Sequence, residues 1–234
     1  MRDKTAKRLT VEVAEDEQFS RVIASADARL TEASDWTCRV LVAGLQPAHV
    51  YWYRFTDEQG NGSRIGRTLT APADTDARPV RFAFVSCQNA NEGTLNAYRR
   101  MIYEDERARP EDRLDFVLHL GDFIYEMVWY PDEHPNGHRG RPVREFARYP
   151  TGEKISDFYI PTTVADYRTV YRGYLHDPDL QDARACWPFI CIWDNHEYSW
   201  QGYQPFKCSA RRSAPRNRAR SPPTRHGGNT SRRA

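Results

Sequence analysis

Three short apolar runs of β-forming residues, at 80–86, 114–120 and 189–193, alternate with segments of helical periodicity, and this alternation constrains the fold more than any other feature. Between the first two runs, Leu95, Tyr98, Met101 and Ile102 recur at helical spacing. Strand, helix and strand in succession make a βαβ unit, whose right-handed crossover sets the two strands parallel. Two more helical stretches precede the third run. The first, 164–175, carries Tyr167, Val170, Tyr171 and Tyr174 on one face. The second, about 179–185, is introduced by Asp177-Pro178, with proline at the first helical position. The expected core is therefore α/β with a parallel sheet, a fold that presents its chemistry beyond the carboxyl ends of the strands.

Each of those ends is polar. The sequence there reads Ser86-Cys87-Gln88, then Gly121-Asp122-Phe123-Ile124-Tyr125-Glu126, then Trp193-Asp194-Asn195-His196-Glu197. Asp122 alone reads as a turn former or helix cap. Tyr125, three residues on and beyond a glycine turn, brings a phenol to the same point. Carboxylate and phenolate together suit a hard, highly charged ion such as ferric iron. Asn195 offers a neutral amide oxygen, and His196 can polarise a phosphoryl oxygen or protonate a leaving alkoxide. The blander readings are a hydrogen-bonded structural His196 and a Phe123-Ile124-Tyr125 stretch that is simply core. Cys87 alone reads as a buried, inert thiol, but its place level with the other strand ends directs it to the same crevice. No phosphate loop of the G-x-x-x-x-G-K-[ST] type, no G-x-S-x-G elbow and no H-E-x-x-H helix occurs, which leaves metal-assisted hydrolysis.

Ahead of the α/β segment, residues 1–72 read as a β domain, with strand-type runs at 9–13, 38–42, 50–55 and 64–70. Within it, Leu45-Gln46-Pro47 leads into Tyr51 at the start of an alternating strand, the pattern of a tyrosine corner in immunoglobulin and fibronectin type III sandwiches. About 100 residues make such a sandwich, so a partial one is expected here. Residues 73–79 form a polar, proline-flanked linker, and 80–208 are the α/β core, incomplete as it stands. Residues 127–160 are a long polar insertion, expected to act as a flap over the site. From 209 to 234 no Val, Ile, Leu, Met or aromatic residue occurs, so this tail is expected to be disordered. Its abrupt Arg/Ser/Pro/Ala composition matches an out-of-frame reading of GC-rich DNA.

The tail holds eight arginines and no acidic residue, so the net charge of +2 conceals an acidic body. An acidic body disfavours nonspecific nucleic-acid binding and suits a site for multivalent cations. The five cysteines are odd in number and lack C-x-x-C spacing, so free thiols are expected. No run approaches the roughly 18 apolar residues of a membrane span. The basic start, Met1 to Arg8, is followed by no apolar signal region, so a cytoplasmic location is expected if that start is genuine.

Taken jointly, Gly66-Arg67-Thr68-Leu69-Thr70-Ala71-Pro72, Ser86-Cys87-Gln88, the Gly121 to Glu126 block, Asp166-Tyr167-Arg168, Asp177-Pro178 and Trp193 to Glu197 resemble the PhoD-type alkaline phosphatases. The resemblance covers roughly residues 9–207. It implies that Cys87, Asp122 and Tyr125 help bind iron, with Asp122 bridging to calcium. It also implies that Asn195 is a second-metal ligand and that His196 acts near the leaving group. An exported enzyme follows from it, hydrolysing small phosphate esters, mono- or diester, by a metal-activated hydroxide. Many family members carry Asp where Asn195 stands and Asn near Trp200 and Gln201, and the family's remaining ligands come from a long second half. A chain truncated at both ends and of impaired activity is thus the expectation. Two other readings are a noncatalytic β-sandwich binding module and a nucleic-acid role for the arginine tail.

Overall fold

The structure, a computed structural model, describes residues 7–198; the tail at 209–234, with Trp200 and Gln201, lies outside the described residues. The first unit is one antiparallel sheet in the order β2-β1-β3-β4, built from β1 (Lys7–Ala14), β2 (Val22–Leu30), β3 (Val50–Asp57) and β4 (Gly66–Leu69). Val11, Val13, Ala28, Leu30 and Tyr51 are buried, which gives the sheet one apolar face. The Tyr51 hydroxyl accepts a 2.8 Å hydrogen bond from the Gln46 backbone N–H, the contact expected of a tyrosine corner.

One expectation fails in this unit: residues 38–42 form no strand. The unit is a single sheet, and among the described residues no second sheet faces it. The run Cys38-Arg39-Val40-Leu41-Val42 is β-prone, but it finds no partner, and Leu41 is 91% exposed. Besides β3, the strand that pairs with β1 is β2, Val-Ile-Ala-Ser-Ala-Asp-Ala-Arg-Leu, whose alanines and charges hide its alternation.

The second unit holds the expected parallel sheet, ordered β5-β6-β9, from β5 (Phe82–Val85), β6 (Phe116–His119) and β9 (Phe189–Cys191). Helix α1 (Ala97–Arg107) makes the crossover between β5 and β6, and buries Tyr98 and Ile102. Helix α2 (Val164–Leu175) starts at a capping box in which the Thr163 hydroxyl accepts from the Asp166 N–H and the Asp166 carboxylate accepts from the Thr163 N–H. Helix α3 (Pro178–Cys186) is capped by Asp177, which accepts from the N–H groups of Asp179 and Leu180. Val117, Ile124, Val170, Tyr174, Leu180 and Trp187 form the centre of the core.

Asp166 is wholly buried. Burial alone would raise its carboxyl pKa, but hydrogen bonds from the backbone of Thr151 and Thr162 and the hydroxyls of Thr151 and Thr163 hold it well below the ordinary value. The insertion is packed into the core rather than free. It contains the hairpin β7 (Glu153–Ile155) and β8 (Phe158–Ile160) and buries Trp129, Tyr130 and Tyr149. The buried Asn91 amide ties it down, donating to the carbonyls of Trp129 and Arg144 at 3.1 and 2.8 Å.

The two units meet at polar contacts: Arg64 pairs with Gln181 and with Asp182, and Arg172 with Asp35. The described residues leave the opposite face of the parallel sheet largely uncovered. Phe84 is 70% exposed and Ile190 54%, and Phe82 lies beside them on the same face.

Candidate functional site

Because β5, β6 and β9 are parallel neighbours, their carboxyl ends open on one edge of the sheet, and the residues that follow them share it. Cys87 follows β5, and Asp122 follows β6 through Gly121. Both sit in the left-handed region, Cys87 at φ 58° and Asp122 at φ 53°, a conformation non-glycine residues adopt rarely and under strain. Backbone bonds from Cys87 N–H to the Gly121 carbonyl (3.3 Å) and from Gln88 N–H to the Asp122 carbonyl (3.2 Å) lace the two turns together. Gly121 has φ 100°, and a Cβ there would stand 2.5 Å from the Asp194 backbone nitrogen. Only glycine permits that approach of the β6 turn to the β9 turn.

Glu197 is the strut of this junction. Its carboxylate accepts from the N–H groups of Asp122 (3.1 Å), Phe123 (2.6 Å) and Asp194 (2.8 Å). The Asp122 carboxylate, almost fully buried, is in turn held on both oxygens. Oδ1 accepts from the His196 N–H at 3.2 Å, and Oδ2 from the Cys87 thiol at 3.4 Å. Tyr125 stacks on the His196 ring, with centroids 4.1 Å apart. Burial first, then the adjoining Cys87 thiol and Asp122 carboxylate, push the Tyr125 phenol above its ordinary pKa. Thiol, carboxylate and phenol thus converge as three groups whose ionised forms repel one another. Such a donor set fits a hard, multiply charged cation that would relieve that repulsion.

His196 Nδ1 lies 2.7 Å from Oε2 of the buried Glu126. Burial opposes charging of the imidazole, but the Glu126 hydrogen bond and the charges of Glu126, Asp122 and Glu197 outweigh it and raise the His196 pKa. Oε1 of Glu126 and Nε2 of His119 are buried without a hydrogen-bond partner among the described residues. Burial pushes the His119 pKa down. Gln88 braces the turn from below, donating to the Phe123 carbonyl at 2.9 Å and accepting from the Tyr98 hydroxyl at 2.7 Å.

Of the residues singled out in the sequence, Cys87, Asp122, Tyr125 and His196 are brought together. Asn195 is half-buried in the same turn, but its side chain makes none of the hydrogen bonds that tie the cluster. The roles of Glu126, Glu197, Gln88 and His119 were not foreseen. All four stand in or beside the polar cassettes at the strand ends, which was the available signal.

The chain matches the model of the PhoD-like phosphatase over residues 82–221 and that of the PhoD-like phosphatase N-terminal domain over residues 1–72. It is 33% identical over 196 residues to alkaline phosphatase D of Bacillus subtilis, an alignment covering 83% of this chain and 30% of that protein. It is also similar to a solved structure described as PhoD, with a TM-score of 0.66 and 32% identity over 83% of this chain and 33% of the other. The chain therefore spans about a third of the length of these relatives. No helix among the described residues is long and apolar enough to cross a membrane.

Proposed function

Because the chain belongs to the PhoD-like phosphatase family, we propose that the edge formed by Cys87, Asp122, Tyr125 and His196 is the metal-holding part of a phosphate-ester hydrolase site. The observation that carries this reading is the convergence of the Cys87 thiol on the Asp122 carboxylate at 3.4 Å, beside the Tyr125 phenol, at the carboxyl end of a parallel sheet. Cys87, Asp122 and Tyr125 would hold iron. Asp122 would be shared with a second metal, calcium by family resemblance, toward which Asn195 contributes its amide oxygen. Bound metals of this kind supply Lewis acidity toward the phosphoryl oxygens and activate water.

The chain's own residues do the rest. Glu197 fixes the Asp122 backbone in its strained turn, so the carboxylate is aimed before any ligand arrives. His196 has Nδ1 committed to Glu126, which leaves Nε2 as the nitrogen able to give a proton to a leaving alkoxide. The stacked Tyr125 ring holds the plane of that imidazole. The substrate class is a small phosphate ester, and export is inferred from the family resemblance. Residues 1–72 are read as half of an immunoglobulin-like sandwich, a reading supported by the Tyr51 corner.

The test combines metal loading with turnover. The purified chain reconstituted with ferric iron should develop a phenolate-to-iron charge-transfer band that is lost in Tyr125→Phe and retained in His196→Gln. A fluorogenic phosphodiester and a monoester, assayed with iron and calcium, read the activity. Iron retention no higher than that of a Cys87→Ser/Asp122→Asn variant, with no such band, would overturn the proposal.

A further inference from the structure

A second cluster of metal-type donors lies inside the insertion. His134 and His138 are four residues apart on a turn that is not helical, and Asp157 occupies the two-residue turn between β7 and β8. Their donor atoms lie within 4.8 Å of one another. Backbone hydrogen bonds brace the scaffold around them. The Gly137 N–H donates to the His134 carbonyl at 2.9 Å, and His138 and Arg141 exchange backbone hydrogen bonds at 2.8 and 2.9 Å. Gly137, at φ 78°, would drive a Cβ into the Arg141 carbonyl, so the turn bringing the imidazoles together requires glycine there. On the other side, paired bonds between Val128 and Tyr159, at 2.9 and 2.8 Å, hold the hairpin against the strand-like segment leading to Trp129.

Among the described residues, the two imidazoles and the Asp157 carboxylate make no hydrogen bond to one another. His138 Nδ1 is 3.9 Å from Asp157 Oδ2, too long for a hydrogen bond. Two ligands held about 2.1 Å from one ion in tetrahedral geometry stand about 3.4 Å apart, so a small contraction would seat an ion between them. His134 Nε2 lies 2.7 Å from the Asp157 backbone carbonyl. A carbonyl only accepts, so Nε2 carries the proton and the lone pair remains on Nδ1. His138 Nε2 is completely enclosed with no hydrogen-bond partner among the described residues, and its nearest acid is Glu92 Oε1 at 3.8 Å. His134 therefore has one nitrogen on a backbone oxygen and the other left for an ion, the arrangement that orients metal-bound histidines; at His138, Glu92 stands 3.8 Å from Nε2 and would close on it to complete the same arrangement. The Trp129 indole packs on the His138 ring at 4.4 Å and donates to Asp157 Oδ2 at 3.3 Å, which fixes both ligands.

We propose that His134, His138 and Asp157 bind one divalent transition ion of the zinc class, with Glu92 orienting His138, and that this ion clamps the 131–138 turn to the β7–β8 hairpin. Two nitrogen donors and one carboxylate favour zinc or cobalt over calcium or magnesium. The fourth position would be filled by water. This site shares no residue with the edge assigned to phosphate-ester hydrolysis and stands independently of it.

The experiment uses the full chain carrying Cys87→Ser and Asp122→Asn, which silences the other donor set, with cobalt(II) alone as the probe. One equivalent should bind, giving the intense visible bands of a tetrahedral nitrogen and oxygen site without a thiolate charge-transfer band. Zinc should displace the cobalt, and the amides of 130–160 should gain hydrogen-exchange protection with the ion. His138→Gln or Asp157→Asn should weaken binding more than tenfold, and Glu92→Gln about tenfold, with unchanged circular dichroism. A parent chain that takes up no cobalt would overturn the proposal whatever the variants do. Equal cobalt affinity in parent and His138→Gln would overturn it as well.

Discussion

Replacing Glu197 by glutamine tests whether one carboxylate holds the strand-end turns together. In the native turn its two oxygens serve three backbone donors: Oε2 takes Asp122 and Asp194, and Oε1 takes Phe123. A glutamine retains one acceptor oxygen. Oriented to keep the Asp122 and Asp194 bonds, it points its own NH2 at the Phe123 N–H; oriented the other way, it abandons two donors. In the better case one N–H loses its acceptor, at about 1–2 kcal/mol for this half-buried site, and the two surviving bonds lose their charge assistance at about 0.5 kcal/mol each. The expected loss is about 2–3 kcal/mol, equivalent to a fall of about 4–12 °C in Tm for a chain of this size. Urea unfolding of the metal-free protein, followed by tryptophan fluorescence, reads the loss as a lower midpoint at unchanged slope. Hydrogen exchange should show the Asp122, Phe123 and Asp194 amides losing protection. Glu58 is exposed and makes no side-chain bond, so Glu58→Gln serves as control and should stay within about 0.5 kcal/mol. A Glu197→Gln protein as stable as that control would refute the strut.

Asp166 supplies a pH dependence. Its folded pKa is depressed below the ordinary value of 3.8, so its stabilisation is fully present above that value and is lost as pH falls through the lower folded pKa. Asp166→Asn should therefore be destabilised by about 2–4 kcal/mol at neutral pH, and its deficit should narrow in urea melts below about pH 4; a deficit independent of pH would contradict this. Tyr51→Phe removes the acceptor of the Gln46 N–H and should lower stability by about 0.5–1.5 kcal/mol in the same assay, whereas an unchanged midpoint would remove the corner as a stabilising contact.

The α/β half was legible because its apolar residues obey simple periods. Helix α2 follows the 164–175 reading, since Tyr167, Val170, Tyr171 and Tyr174 mark one face and Thr163 caps it. Cys87, Asp122, Tyr125 and His196 were legible as a group because parallel strands align their carboxyl ends, a consequence of topology rather than of spacing along the chain. In the β half, propensity misled. Residues 38–42, with Val40, Leu41 and Val42, are β-prone yet unpaired among the described residues, whereas β2, with alanine, serine and aspartate, pairs along its length with β1. Pairing partners decide strand formation, and a single strand's composition does not contain them. Glu126 and Glu197 were visible as residues, but their work depends on a histidine 70 positions away and on amides 74 and 75 positions away. His134 and His138 carried a short-range signal in their spacing, but their third partner comes from a hairpin 23 residues from His134.

The side of the parallel sheet that the described residues leave open, with Phe82, Phe84 and Ile190 exposed, makes the stability of this chain a property of its solution as much as of its sequence. Any surface that covers that side in the folded state and not in the unfolded chain adds to the unfolding free energy in proportion to the logarithm of its own concentration. Unfolding midpoints therefore refer to a stated protein concentration and a stated set of additives, and variants compare fairly only when both are held constant.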